Sequence, residues 1–198
     1  MPFIHEHDLL FVHIPKTGGT SIEKKFNIEK CYDNCYGSEE LVFPAKNTIF
    51  SQQHYTPDLI KDLYENWFNN YKKFTIVRNP YTRAISEYFF RNHVSIFDDD
   101  LFYTWICNFC ITGYILDHAL PQSDYFIGAE YDYILKFESL TDDLKNMCNE
   151  LSMDSKLGHY NKSVVDCGSC VDKLSQKSIE TINKKYTDDF TNFGYKFK

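Results

Sequence analysis

The sequence predicts an α/β fold, a mainly parallel sheet flanked by helices, built as one domain over residues 1–198. Three observations predict it. Short apolar runs end in loops marked by glycine or proline, a helix start signal follows each loop, and this strand–loop–helix unit recurs along the chain. Parallel sheets bind ligands at the carboxyl ends of their strands, so the loops at 15–20, 52–56 and 78–80 are expected on one functional edge.

The first unit opens with LLFVHI at 9–14, an apolar run closed by Pro15, Gly18 and Gly19, as in a buried strand entering a tight loop. Thr20 and Glu23 stand at capping-box spacing. A helix is therefore expected to start at Thr20, with its hydroxyl and the Glu23 carboxylate bonding first-turn amides. In the second unit a strand-like run at 47–52 leads to Thr56 as cap, Pro57 in the first turn and a helix to about Asn69. The third pairs a strand at 73–78 with Asn79 and Pro80 at a helix start, and Tyr81, Ile85, Tyr88 and Phe89 supply an apolar stripe.

Beyond these units, the acidic run 98–100 is expected to cap a long helix ending near Leu120 and Pro121. A last strand at 133–137, an amphipathic helix at 141–151 and a polar helix at 175–186 complete the pattern. Residues 152–171 lack periodicity and predict a surface loop.

Composition limits the function. With 198 residues, 43% hydrophobic and 17% aromatic, the chain can bury a real core and is neither disordered nor fibrous. Its 28 acidic against 21 basic residues give a net charge of -7, the wrong sign for a general polyanion binder, so no nucleic-acid partner is expected. Of the 21 basic residues only Arg78, Arg83 and Arg91 are arginine, and all three fall in one window. Arg78 is expected to face a ligand, with Arg83 and Arg91 covering the helix surface. The seven cysteines include two CxxC pairs, Cys107 with Cys110 and Cys167 with Cys170. The odd count argues against a complete disulfide framework and leaves thiol, disulfide and structural zinc open.

Two segments carry chemistry. In PKTGGTS at 15–21 the glycines let backbone amides approach an anion, the helix N-terminus adds partial positive charge, and Lys16 and the hydroxyls complete a phosphate cradle. This is not the ATPase loop, whose lysine directly precedes the hydroxyl residue at the helix start; here Lys16 precedes the glycines. In RNPYTRAIS at 78–86, Arg78 ends a strand and Ser86 lies on the next helix, a pair suited to clamping a second phosphate.

These segments, as FVHIPKTGGTS at 11–21 and TIVRNPYTRAISEY at 75–88, resemble the sulfotransferases that use 3'-phosphoadenosine 5'-phosphosulfate (PAPS). They are most similar to the Golgi carbohydrate enzymes of the heparan/uronyl 2-O and chondroitin type. HALPQ at 118–122, LKFESL at 135–140, HYNKS at 159–163 and residues 190–195 extend the likeness over nearly the whole chain. The resemblance implies a P-loop-like sulfotransferase fold that moves a sulfuryl group from PAPS to a hydroxyl acceptor and leaves 3'-phosphoadenosine 5'-phosphate, with no metal required. It implies that Lys16, Thr17, Gly18, Gly19, Thr20 and Ser21 hold the 5'-phosphosulfate end. Arg78 and Ser86 would hold the 3'-phosphate, and Lys162 and Ser163 would be secondary contacts from a closing loop.

The family also implies a base after its second strand, where this chain offers His54. Imidazole suits removal of a hydroxyl proton at neutral pH. Lys16 is the other expected catalytic group, neutralising charge on the leaving phosphate. His13 is expected to be structural, and His118 and His159 are acceptor-side candidates. A carbohydrate is the first expected acceptor, with a small alcohol or a protein tyrosine behind it. The alternatives are a nucleotide-binding module without turnover and, behind that, a small-metabolite kinase.

No segment reaches membrane-span length and residues 1–8 lack a basic region, so the chain as given is expected to be soluble and cytoplasmic. A Golgi-type lumenal location would require that an anchor had been removed.

Overall fold

The computed structural model describes residues 3–28, 41–43, 48–50, 52–109, 116–156 and 166–198. Its main sheet has four strands in the order β1 (Phe3–Ile4), β2 (Leu9–Val12), β5 (Lys72–Val77) and β6 (Tyr133–Lys136). β1 runs antiparallel to β2, whereas β2 pairs parallel with β5 from Leu9↔Lys72 to Val12↔Thr75, and β5 pairs parallel with β6 from Phe74↔Tyr133 to Val77↔Lys136.

All four residues of β2 are buried because both sheet faces are covered. Alternation along the strand sends Leu9 and Phe11 into a core shared with Ile22 of α1 (Gly19–Lys25) and with Leu144 and Met147 of α6 (Leu140–Glu150). Leu10 and Val12 point the other way, against Leu59 and Ile60 of α2 (Pro57–Asn70). A third apolar cluster lies among α3 (Pro80–Asn92), α4 (Asp99–Asn108), α7 (Cys167–Val171) and α8 (Gln176–Lys185), centred on Tyr88, Phe102, Ile106 and Ile182. α9 (Thr187–Phe193) closes the chain's core, and Tyr195 packs against both this cluster and the α2 side of the sheet.

The structure changes four expectations. The strand of the second unit, β4 (Thr48–Phe50), pairs antiparallel with β3 (Leu41–Phe43) in a separate two-stranded sheet, because β5 already pairs directly with β2. The expected helix over 98–120 is divided. Asp98 caps α4 by accepting from Leu101 N at 3.0 Å, α4 ends at Asn108, and a separate short helix α5 (Leu116–Ala119) follows. Within 152–171, expected as loop, Asp166 accepts from Gly168 N at 2.9 Å and starts α7. The capping box at Thr20 does not form: α1 begins after Gly18, in left-handed backbone at φ +92°, and Glu23 turns into the protein.

The four described cysteines, Cys107, Cys148, Cys167 and Cys170, form no disulfide, and the last three are buried. Cys31, Cys35 and Cys110 lie outside the described residues.

The functional end of the sheet is braced by Gln122, which is fully buried in a 3-10 turn at Gln122–Phe126. Its Oε1 accepts from Arg78 N and its Nε2 donates to Arg78 O, both at 2.8 Å, so one side chain satisfies the backbone where β5 leaves the sheet. Asp189 of α9 fixes the glutamine by accepting from its N at 3.0 Å and its Nε2 at 3.1 Å. Replacing it by leucine would keep the volume and strand buried backbone groups. Gln122→Leu is expected to lose about 3 kcal/mol, read in thermal unfolding as a fall in Tm on the order of 10 °C.

Candidate active site

The loop between β2 and α1 is oriented by two arginines. Arg83 of α3 donates from Nε to Pro15 O at 3.1 Å, and Arg78 donates from Nη1 to Lys16 O at 3.0 Å. In a trans peptide the carbonyl and the following N–H point in opposite directions. Drawing the Pro15 and Lys16 carbonyls toward the arginines therefore turns the amides of Lys16 and Thr17 the other way. Lys16 is itself in left-handed backbone at φ +66°, as is Gly18 at φ +92°, and turns of this kind can form a concavity of backbone N–H groups suited to an anion.

Two glycines let this loop pack. A Cβ on Gly18 would lie 3.0 Å from the Phe137 ring, and its positive φ disfavours any side chain. A Cβ on Gly19 would lie 2.1 Å from His13 Nε2, so the imidazole occupies the space that a side chain would need. His13 directly follows β2, is buried, and bonds through Nδ1 to Glu23 Oε1 at 2.8 Å. The Glu23 carboxylate thus ties α1 to the strand end, which explains why it does not cap the helix. Thr17 is also buried, its hydroxyl donating to Ile14 O at 2.8 Å, so it can offer a ligand its backbone and not its side chain. Thr20 and Ser21 are half-buried in the first turn of α1, with Ser21 N donating to Gly18 O at 3.1 Å.

Arg78 leaves β5 almost fully buried. Its Nε donates to Thr82 Oγ1 at 3.1 Å, its guanidinium lies 4.0 Å over the Phe137 ring, and it also donates to the Cys167 sulfur. Arginine has five N–H donors in a planar fork, so donors remain for an oxyanion after the bonds to Lys16 and Thr82. Ser86 is half-buried on α3, one turn beyond Thr82 on the same face. Arg83 corrects the expectation of a surface residue. It is buried, donating to Pro15 O and Leu120 O and lying 4.0 Å from Asp189. Arg91 is only partly exposed and donates from Nε to Glu87 Oε1 at 2.7 Å.

His54 ends the 3-10 turn Gln52–His54 and is 3% exposed. Its Nδ1 lies 3.0 Å from His13 O, an acceptor only, so Nδ1 carries the proton and the neutral ring keeps its lone pair at Nε2. The His13 ring centroid is 4.5 Å away and that of His118 4.9 Å, both edge-on. Burial, and after it the neighbouring His13 and His118, hold the His54 imidazole well below its ordinary pKa, which favours the neutral ring.

His118, on α5, points Nδ1 at Glu87 Oε2 at 2.8 Å. Burial opposes ionisation of Glu87, but its bonds to His118 and Arg91 outweigh that and hold the carboxyl below its usual range. Phe90, half exposed on α3, stacks on His118 at 5.8 Å and carries Lys16 Nζ 4.0 Å from its centroid. Burial lowers the Lys16 pKa, with the Glu87 charge opposing. A continuous path of contacts thus runs from Lys16 through Phe90 and His118 to His54, and from His54 through His13 back to Gly19.

Of the residues predicted from sequence, Lys16, Thr17, Gly18, Gly19, Thr20, Ser21, His54, Arg78 and Ser86 share this end of the sheet, while Lys162, Ser163 and His159 lie outside the described residues. Glu87, Asp117 and Phe90 escaped sequence reasoning. Arg83, Glu87 and Arg91 do recur at four-residue steps on one helix, a spacing that signals an ion-paired face, although here it is turned inward.

No curated protein matches the chain. The family model of the sulfotransferase family matches residues 3–196. That span includes both phosphate-type loops and every strand of the sheet that carries them, and the chain belongs to the sulfotransferase family.

Proposed function

We propose that residues 1–198 form one catalytic domain that transfers a sulfuryl group from PAPS to a hydroxyl acceptor, a carbohydrate first of all, with His54 as general base and Lys16 as electrostatic catalyst. The observation that carries this reading is the double contact of His13, whose ring fills the space beside Gly19 and whose carbonyl fixes the tautomer of His54. The anion loop and the base are thereby built on one strand end.

The residues fit the donor. The amides of Lys16 and Thr17 are turned away from the arginines, the site of Gly19 tolerates no side chain, and two cations, Lys16 and Arg78, flank the loop. The cradle of 16–21 would hold the 5'-phosphosulfate end. Arg78 and Ser86 would hold the 3'-phosphate, with Lys162 and Ser163 as further contacts. When bound, PAPS supplies an activated sulfuryl group on a phosphate leaving group.

His54 Nε2 accepts the proton of the attacking hydroxyl, while the His13 carbonyl holds Nδ1–H and prevents the ring from turning. Lys16 places its ammonium against charge growing on the leaving oxygen, and its partial desolvation strengthens that interaction. The loop amides orient the oxygens of the transferring group. The acceptor would enter past the half-exposed Phe90, an apolar edge beside Lys16 and His118 that suits the C–H groups of a pyranose, and this feature supports the carbohydrate reading. Among the described residues no helix is long and apolar enough to cross a membrane.

Calorimetric titration with 3'-phosphoadenosine 5'-phosphate tests the donor site. One molecule is expected to bind per chain, and Arg78→Ala should weaken binding about 10- to 100-fold, as loss of charge-assisted hydrogen bonds implies. Arg78→Lys should recover only part because it lacks the planar fork. Undiminished affinity in Arg78→Ala, or no binding by the unsubstituted chain, would overturn the assignment.

The base is tested separately. His54→Ala is expected to lower kcat for sulfate transfer by about 10² to 10⁴ while leaving the bisphosphate Kd within about twofold. Turnover that survives this substitution would remove His54 from the mechanism.

A further inference from the structure

Three side chains beside the strand end, His54 and Asp117 buried and His118 mostly so, converge in a way that general base catalysis does not need. His54, Asp117 and His118 each present one ligating atom, and these atoms lie within 4.8 Å of one another. Both imidazoles have Nδ1 engaged, His54 with the His13 carbonyl at 3.0 Å and His118 with the Glu87 carboxylate at 2.8 Å. This fixes both rings in the tautomer whose lone pair is at Nε2. The same outer bonds, one to a backbone carbonyl and one to a carboxylate, are those that orient metal-ligating histidines. Glu87 is anchored in turn by Arg91 Nε at 2.7 Å. The third donor, Asp117, is fully buried and held close to His118, whose backbone N–H donates to its Oδ1 at 2.8 Å.

We propose that His54, Asp117 and His118 bind a divalent transition-metal ion of the zinc class, and that an ion held there silences sulfuryl transfer by taking the lone pair of His54. The second half rests on the proposed role of His54 as base; the first half does not. Two imidazole nitrogens and one carboxylate oxygen form a three-ligand zinc set with a fourth position open, and imidazole donors favour zinc and cobalt over magnesium and calcium. At zinc–nitrogen distances of about 2.0–2.1 Å, tetrahedral ligands stand about 3.3 Å apart. The ligating atoms, at 4.8 Å or less, stand within about 1.5 Å of that spacing.

The test uses the tag-free full chain, without donor or acceptor, titrated with Zn²⁺ by calorimetry and with Co²⁺ by visible absorption. One ion per chain is expected, with a tetrahedral-type cobalt spectrum and no heat from Mg²⁺. His118→Gln and Asp117→Asn, both close in volume to the native side chains, should each weaken zinc binding more than 10-fold. Glu87→Gln, which alters only the outer bond, should weaken it about 10- to 100-fold. Circular dichroism melts confirm that each variant is folded. Absence of stoichiometric binding would overturn the site. So would zinc binding that survives His118→Gln and Asp117→Asn but is lost in the double variant Cys167→Ser with Cys170→Ser.

Inhibition is read last. Zinc should suppress turnover of the unsubstituted chain, and Asp117→Asn should raise the concentration needed by the same factor as its loss of affinity. Full turnover at saturating zinc would overturn the inhibitory role while leaving the site itself intact. Failure of bisphosphate binding, measured separately, would instead count against the sulfotransferase mechanism.

Discussion

Arg83 is the constraint on which the rest of this site depends. One buried guanidinium donates to Pro15 O in the anion loop and to Leu120 O after α5, and lies 4.0 Å from the Asp189 carboxylate. Buried backbone carbonyls require donors, and a buried cation requires a counter-charge. The arginine meets both needs at once and locks the loop, the segment that carries His118 and α9 into one arrangement. Gln122 uses the same Asp189 to hold the end of β5, so Arg78 emerges from a backbone fixed by the carboxylate that Arg83 faces. The direction of the loop amides follows from these bonds and not from the glycines alone.

His13 performs the corresponding task on the other side. Its ring substitutes for the side chain that Gly19 lacks, its Nδ1 holds Glu23 of α1, and its carbonyl selects the tautomer of His54. A single residue at the end of β2 therefore determines how close α1 comes to the sheet and which nitrogen of the neighbouring histidine carries the proton. The imidazole of His54 meets those of His13 and His118 in T-shaped contacts, and Nδ1 of each ring is engaged, by Glu23, the His13 carbonyl and Glu87. With Nδ1 engaged, the neutral rings of His54 and His118 keep their lone pairs at Nε2, the nitrogens on which the proposed base and the proposed metal site both draw.

The strands β2, β5 and β6 and the two loop motifs were legible in the sequence because their signals are local: apolar runs, a proline or glycine at the strand end, and a cap at Asn79, whose side chain does accept from Tyr81 N. What was not legible depends on partners far away in sequence. Thr20 and Glu23 have capping-box spacing, but Glu23 bonds instead to a buried imidazole ten residues earlier. Arg83 resembles any helix-surface arginine until the carbonyls of Pro15 and Leu120 are placed around it. The run at 48–50 has strand propensity, yet whether it joins the main sheet is decided by the pairing of β2 with β5, for which propensity carries no information. Glu87 lies among apolar residues of α3 and reads as an interruption of the stripe; its part-buried partners His118 and Arg91 make it part of the site.

Net charge is a poor guide to this site for a related reason. A chain at -7 is not expected to attract an anion carrying several phosphate-type groups. Excess negative charge on a solvated surface is screened within about 8–10 Å at physiological ionic strength, however, whereas a buried cation acts through a medium of lower effective dielectric. The three arginines and Lys16 are concentrated at one end of the sheet and withdrawn from solvent, Arg78 and Arg83 almost completely. Each is positioned by backbone carbonyls, a carboxylate or an aromatic face, and is thus oriented before any ligand arrives. The remaining lysines are spread over the chain. Local preorganisation of a few desolvated cations, and not the overall sign of the protein, is what would let an acidic chain hold the proposed donor.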